Sequence, residues 1–240
     1  MLKKRKIRNN NFYFFMTSNL INIDWSSIDN IFVDMDGTIL DLAFDNFFWL
    51  EAIPKKYANQ NRITLEESKA ILFPNFKSKE GYLEWYSIDY WSEELQLDIY
   101  SIKWEYKNRI KYLHRAKDFL KICKDMNKNI FLVTNAHPRT LEIKNHMTSI
   151  ELMVDRSISS FDYSFPKENI EFWNSLNKDT YFDPSRTIFI DDNEAMLKSA
   201  KNFGITNLLG IRTPDSGKPA NHILNFNSVD GLYEIIDKYI

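Results

Sequence analysis

Three short apolar runs, Ile31-Phe32-Val33, Ile130-Phe131-Leu132-Val133 and Ile188-Phe189-Ile190, each stop at residues able to do chemistry. The first runs into Asp34-Met35-Asp36-Gly37-Thr38, the second into Thr134-Asn135, the third into Asp191-Asp192. Such runs, closed by turn residues, read as buried strands. The segments around them carry helical spacing, and helix–strand alternation predicts an α/β fold on a parallel, doubly wound sheet. Ligands of such sheets sit beyond the carboxyl ends of the strands. All three runs would then deliver their polar residues to one place. Lys167, just after Pro166 and between the last two runs, joins that group.

Asp34 and Asp36 are two residues apart, so strand geometry turns both into one crevice while Met35 packs on the opposite side. Gly37 permits a sharp turn. Two close carboxylates repel each other unless a cation or proton separates them, and oxygen-only ligands of this kind suit Mg²⁺. Alone, this stretch reads equally well as a strand followed by an acidic turn. Its recurrence at the other two strand ends decides for chemistry.

With 240 residues, the chain can form one large domain or a domain with an insert. A net charge of −2 argues against a surface for a nucleic-acid polymer. The single Cys123 cannot form an internal disulfide; it sits in a helical pattern, fits the core and is compatible with a cytoplasmic protein. His114, His137, His146 and His222 have no zinc spacing. No apolar run reaches the length of a membrane span, so no membrane partner is expected. The start, Lys3-Lys4-Arg5-Lys6 and then Phe12-Tyr13-Phe14-Phe15-Met16, lacks the apolar centre and cleavage site of a signal peptide. It reads as a basic tail, or as an upstream extension before a natural start at Met16; intact mass distinguishes the two.

The pattern divides the chain into a lead-in over 1–28, an α/β core over 29–42 and 112–240, and an all-helical insert over 43–111. Within the insert, helices are expected over 44–58 (kinked or ended by Pro54), from Thr64 to Pro74, over 79–96 and over 99–110. Thr64 and Glu67 have the spacing of a capping box. In the core, helices are expected over 116–126, 138–147, 167–176, 194–203 and 229–239. Strands are expected over 151–154, 187–190 and 205–211, besides the first two runs.

In chain order, Asp34–Thr38, Thr134, Lys167 and Asp191-Asp192 resemble the four motifs of the haloacid dehalogenase (HAD) superfamily of phosphotransferases, over nearly the whole chain after about Asn22. The resemblance implies a HAD-like Rossmannoid core with an inserted helical cap, and Mg²⁺-dependent phosphoryl transfer from a small phosphate ester. It implies that Asp34 is the nucleophile, forming an aspartyl-phosphate, and that Asp36 protonates the leaving alkoxide and then deprotonates water. Thr134 would donate to one phosphoryl oxygen, and Lys167 would neutralise another while holding Asp34. Read in isolation, Lys167 would be a solvated surface lysine. The implied Mg²⁺ ligands are the Asp34 side chain, the Asp36 backbone carbonyl and Asp192, with Asp191 either a ligand or a partner of one. Some relatives that cleave carbon–halogen bonds lack the second Asp, so Asp36 favours phosphate ester cleavage.

Thr134-Asn135-Ala136-His137-Pro138-Arg139 places Asn135, His137 and Arg139 where a loop can reach substrate. His137 reads equally as a helix-start or packing residue. Asp45 and Asn46 can touch a leaving group or cap a helix. Trp85, Tyr86, Tyr90 and Trp91 can stack on a base or form the insert's own core. The stretches 41–49, 85–93, 134–138, 163–168, 189–195 and 214–217 resemble bacterial GMP/IMP 5′-nucleotidases. That resemblance implies hydrolysis of a purine nucleoside 5′-monophosphate. The alternatives are another small phosphomonoester, such as a sugar phosphate or phosphoglycolate, and a non-catalytic nucleotide-binding protein on the same scaffold.

Overall fold

Residues 23–239 are described by the computed structural model; the alternative start at Met16 lies outside them. Apolar side chains on both faces of the strands build the centre. The strands are β1 (Asn30–Val33), β2 (Asn129–Thr134), β3 (Arg156–Ser159), β4 (Thr187–Asp191), β5 (Asn207–Ile211) and β6 (Ser228–Val229). They form one sheet in the order β3-β2-β1-β4-β5-β6, with every pairing parallel. Ile31 and Val33, Ile130 and Leu132, and Ile188 and Ile190 face one core, whereas Phe32, Val133 and Phe189 face the other. The register sets Ile31 beside both Ile130 and Ile188, so like-facing residues line up across three strands.

Between β1 and β2 the chain runs through α1 (Ala43–Phe47), α2 (Ile53–Asn61), α3 (Leu65–Ser78), α4 (Leu83–Tyr86), α5 (Ile88–Leu95) and α6 (Ile99–Glu105), and returns through α7 (Ala116–Asp125). After β2 comes α8 (Pro138–Thr148), after β3 α9 (Ile170–Thr180), after β4 α10 (Glu194–Phe203), and α11 (Leu232–Tyr239) follows β6. Helices α7, α8 and α11 cover one face through Phe119, Ile143 and Ile235; α9 and α10 cover the other through Trp173 and Leu197. Strand order reverses between β1 and β4, and the crevice at such a switch point is where these sheets bind ligands.

The insert has its own core, built on Phe48, Ile53, Leu72, Phe76, Trp91 and Ile99. Its two ends meet at a narrow neck. Leu40 bridges Tyr112, Asp41 N–H donates to Lys111 O at 2.9 Å, and Leu113 N–H donates to Ile39 O at 2.9 Å. Among the described residues no helix is long and apolar enough to cross a membrane.

Several expected boundaries move. Pro54 does not end its helix: a π-turn over Phe48–Ala52 leads without a break into α2, which holds Pro54 at its start. Pro74 lies inside α3, whose Leu72 and Phe76 anchor one face in the insert's core; packing there outweighs the roughly 3 kcal/mol that a helical proline costs. Residues 79–96 split at Ser87, whose extended backbone and side-chain oxygen, accepting from Tyr90 N–H at 3.1 Å, start a new helix. The helix expected over 99–110 ends at Glu105 and leaves one 3₁₀ turn at Lys107–Arg109.

Ile150–Met153 is a 3₁₀ turn rather than a strand, with Leu152 exposed. The true strand, β3, has only Ile158 as an apolar residue, which hid it from an apolar-run search. Lys167 precedes α9 instead of opening it. β5 begins at Asn207 rather than Ile205, and Val229 belongs to β6 rather than to the final helix.

Candidate active site

β1 ends at Val33, yet the ladder holds one residue further, with Asp34 N–H donating to Ile190 O at 2.9 Å. Asp34 is thereby fixed at the switch point and is buried. Lys167, 2 % exposed, points its ammonium to the same spot. It donates to Asp34 Oδ1, to Val133 O at 3.0 Å and to Asp191 Oδ2 at 2.8 Å. Three acceptors on three adjacent strand ends account for its three protons. Burial alone would lower the Lys167 pKa, but Asp191 and Asp34 outweigh it and raise it above its ordinary value.

Asp34, Asp191 and Asp192 each place a carboxylate oxygen so that all three lie within 4.8 Å of one another. Burial pushes Asp34 up to about 6 against the pull of Lys167, with Asp191 adding to the rise. Asp192 is pushed well above the carboxylate range by burial, then by Asp191 and Asp34. Three acidic groups around one ammonium leave negative charge unbalanced. Hard oxygen donors in that state fit a divalent cation such as Mg²⁺. Gly37 makes the approach possible: its φ is +90°, and a Cβ there would lie 2.7 Å from the Asp192 carboxyl carbon and 2.8 Å from Pro214 Cβ.

Asp36 turns away from that trio to a second set of charges. Lys144 Nζ pairs with Asp36 Oδ1 and with Asp45 Oδ2 at 2.6 Å, and Lys103 Nζ reaches Asp45 Oδ1 at 2.7 Å. Both lysines are buried. The result is an alternating row, Asp36–Lys144–Asp45–Lys103. Burial pushes Asp36 up to about 6 despite Lys144, with Asp45 and Asp34 adding to the rise. At Asp45 burial opposes the charge, but Lys103 and Lys144 prevail and hold it well below the carboxylate range. Lys144 is raised because two carboxylates outweigh its burial; Lys103 contacts one carboxylate, and burial lowers it.

Sequence reasoning does not reach either lysine. The available signal was spacing: Thr140, Lys144 and Thr148 recur every four residues on the buried side of α8, and Lys103 follows the buried Ile102.

The second-motif residues sit at the end of β2. Thr134 is buried, and its hydroxyl oxygen accepts from Ala136 N–H at 3.0 Å. Asn135 Oδ1 accepts from Lys167 N–H at 2.9 Å, and its Nδ2 donates to Glu168 Oε2 at 2.9 Å. His137 takes the helix-start role: its Nδ1 accepts from Arg139 N–H at 3.3 Å, its Nε2 lies 3.5 Å from Asp89, and its ring packs on Phe161. Arg139 pairs with Asp89 at 2.7 Å, joining α8 to the insert. Asn46 donates to Asp215 Oδ2 at 2.6 Å beside the neck.

A cavity of about 480 Å³ lies between insert and sheet. Asp34, Asp36, Thr134, Asn135, Lys167, Asp191 and Asp192 line its floor, Asp45 lines it from the first helix of the insert, and His137 is not among its lining residues. Trp49, Phe73, Phe76, Trp85, Tyr86 and Trp91 line its insert side. Trp91 also belongs to the insert's own core, where its indole N–H donates to Trp85 O at 3.0 Å. Tyr90 is not a lining residue.

The family model of the haloacid dehalogenase-like hydrolases matches residues 28–204. GMP/IMP nucleotidase YrfG of Escherichia coli K12 is 39% identical over 197 residues, covering 82% of this chain and 89% of that protein, and the Shigella flexneri protein of the same name matches equally. Among solved structures, a HAD phosphatase from Thermococcus onnurineus superposes with a TM-score of 0.72 at 17% identity, covering 88% of this chain and 97% of that one. L-2-haloacid dehalogenase from Xanthobacter autotrophicus superposes with a TM-score of 0.60 at 13% identity, covering 89% and 100%. At those identities the superpositions speak for the fold, which agrees with the parallel six-stranded sheet. The family model and the relatives' identity go further: this chain belongs to the haloacid dehalogenase-like hydrolases and is an enzyme of that family.

Proposed function

We propose that the protein is a Mg²⁺-dependent phosphomonoester hydrolase acting through an aspartyl-phosphate, with a purine nucleoside 5′-monophosphate such as GMP or IMP as its substrate. The observation that carries this reading is a cavity joining the carboxylate trio and Lys167 to an aromatic insert wall. The 39% identity to a GMP/IMP nucleotidase supports the choice of substrate. The insert, residues 43–111, serves as the selecting cap over a core of 29–42 and 112–240. The reading also places the protein in the cytoplasm, with a small phosphate ester rather than a polymer or membrane as its partner.

Asp34, Asp192 and the Asp36 backbone carbonyl would hold Mg²⁺, with Asp191 alongside. When bound, that ion would supply charge neutralisation at the phosphoryl group. An Asp34 carboxylate oxygen attacks phosphorus, and the P–O bond to the nucleoside breaks as Asp36 gives its proton to the departing alkoxide. Water then attacks the same phosphorus while passing its proton to Asp36, and the bond to Asp34 breaks to free phosphate. The proton affinity of Asp36, raised by burial, suits a group that begins as an acid. Lys167 offsets charge on Asp34 and on a phosphoryl oxygen, and the Thr134 hydroxyl donates to another. Asp45, between its two lysines, borders the leaving-group side of the cavity.

The test is phosphate release with Mg²⁺ from GMP, IMP, AMP, glucose 6-phosphate, phosphoglycolate and p-nitrophenyl phosphate, run beside Asp34→Asn. Preference for GMP and IMP, loss of turnover in the variant, and loss on chelation with recovery on adding Mg²⁺ are the expected results. Equal or better turnover of the non-nucleotide esters overturns the nucleotidase assignment. Nucleotide binding without turnover of any ester would instead make the chain a binding protein.

A further inference from the structure

We propose that Tyr86 is a positioning residue for the phosphoryl-binding loops, acting from the insert through Glu168. The inference rests on the phosphoryl-transfer reading but not on the identity of the nucleotide. Tyr86 ends α4, and its hydroxyl donates to Glu168 Oε1 at 2.6 Å. The other oxygen of that carboxylate, Oε2, accepts from Asn135 Nδ2 at 2.9 Å. Asn135 in turn accepts from Lys167 N–H at 2.9 Å. Lys167 and Glu168 are consecutive, so Asn135 and Glu168 close a small ring around the Lys167 backbone. Thr134 is the residue before Asn135. One bond from the insert thus bears on the two loops that carry Thr134 and Lys167.

The chemistry favours a firm link. A phenol donating to a carboxylate oxygen at 2.6 Å in a part-buried setting makes a short bond. Burial, and then the Glu168 charge, raise the Tyr86 pKa well above its ordinary value, so the hydroxyl keeps its proton. The insert end of the link is itself braced, because Trp91 Nε1 donates to Trp85 O. Two donors hold both oxygens of Glu168. Without them this carboxylate is free to turn toward the ammonium of Lys167, which already serves Asp34 and Asp191. The link can form only while the insert lies against the core. Closing over a substrate and fixing Lys167 therefore become one event.

Tyr86→Phe removes one oxygen and leaves the ring in place. The full chain is assayed with p-nitrophenyl phosphate and with the best phosphomonoester of the panel. The expected result is a kcat lower by about tenfold on both substrates, with KM nearly unchanged and Tm within about 2 °C of the parent. Glu168→Ala should lose a similar factor, and the double variant should be no slower than Glu168→Ala alone, as members of one link are non-additive. Wild-type kcat in Tyr86→Phe overturns the proposal. So does a KM rise confined to nucleotides, which would make Tyr86 a substrate contact, or a loss of Tm with kcat per folded molecule intact. If the parent hydrolyses p-nitrophenyl phosphate but does not prefer GMP or IMP, the nucleotidase reading fails while this test still runs. If the parent hydrolyses no ester, both fail.

Discussion

Lys167 and Cys123 show how burial sets the chemistry of single side chains. Lys167 stays charged because its site supplies three acceptors, two of them carboxylates. Cys123 has no such compensation: it is fully buried against the sheet, and burial pushes its thiol from 9.0 up to about 12. Its folded pKa exceeds the unfolded one, so its contribution to stability is complete below pH 9 and is lost as pH rises toward 12. A thiol reagent at pH 8 should leave the folded protein unlabelled and modify it after urea unfolding. Cys123→Ala should show a shallower alkaline loss of stability than the parent between pH 9 and pH 12. Rapid labelling without denaturant would contradict this account.

At the scale of elements, α3 carries the clearest local signal. Thr64 N–H donates to Glu67 Oε2 at 2.8 Å, and Glu67 N–H donates to Thr64 Oγ1 at 3.2 Å. Thr64→Ala should lower unfolding free energy by about 1 kcal/mol in urea titration and leave kcat unchanged. An unchanged midpoint would mean that the insert's packing alone holds the helix start. This capping box was legible because both partners lie within four residues. The strand ends at Asp34, Thr134 and Asp191 were legible for a similar reason, as each follows directly on an apolar run. Pro74 was not, because Leu72 and Phe76 hold its helix through contacts distant in sequence. β3 was hidden by its serines, and the apolar Ile150–Met153 misled in its place. Lys103 and Lys144 escaped because a lysine reads as a surface residue until its carboxylates are seen beside it.

At the scale of the molecule, that row of four charges ties insert to core. Lys103 and Asp45 belong to the insert, and Lys144 and Asp36 to the core. Lys103→Met leaves Asp45 with one cation in place of two and should cost about 3 kcal/mol in urea unfolding. Because both lysines of the row are buried, the loss should persist in 1 M salt, where the exposed Arg139–Asp89 pair is screened. A loss that vanishes in salt would mean that the two lysines are screened like surface charges.

The neck at Leu40 and Tyr112 carries a wider consequence. The outgoing and returning strands of chain lie side by side there, so the span between them imposes no separation on the sheet beneath. An insert of another length can leave and re-enter the core at that seam without parting the strands, provided it brings its own partners for Lys144 and Glu168.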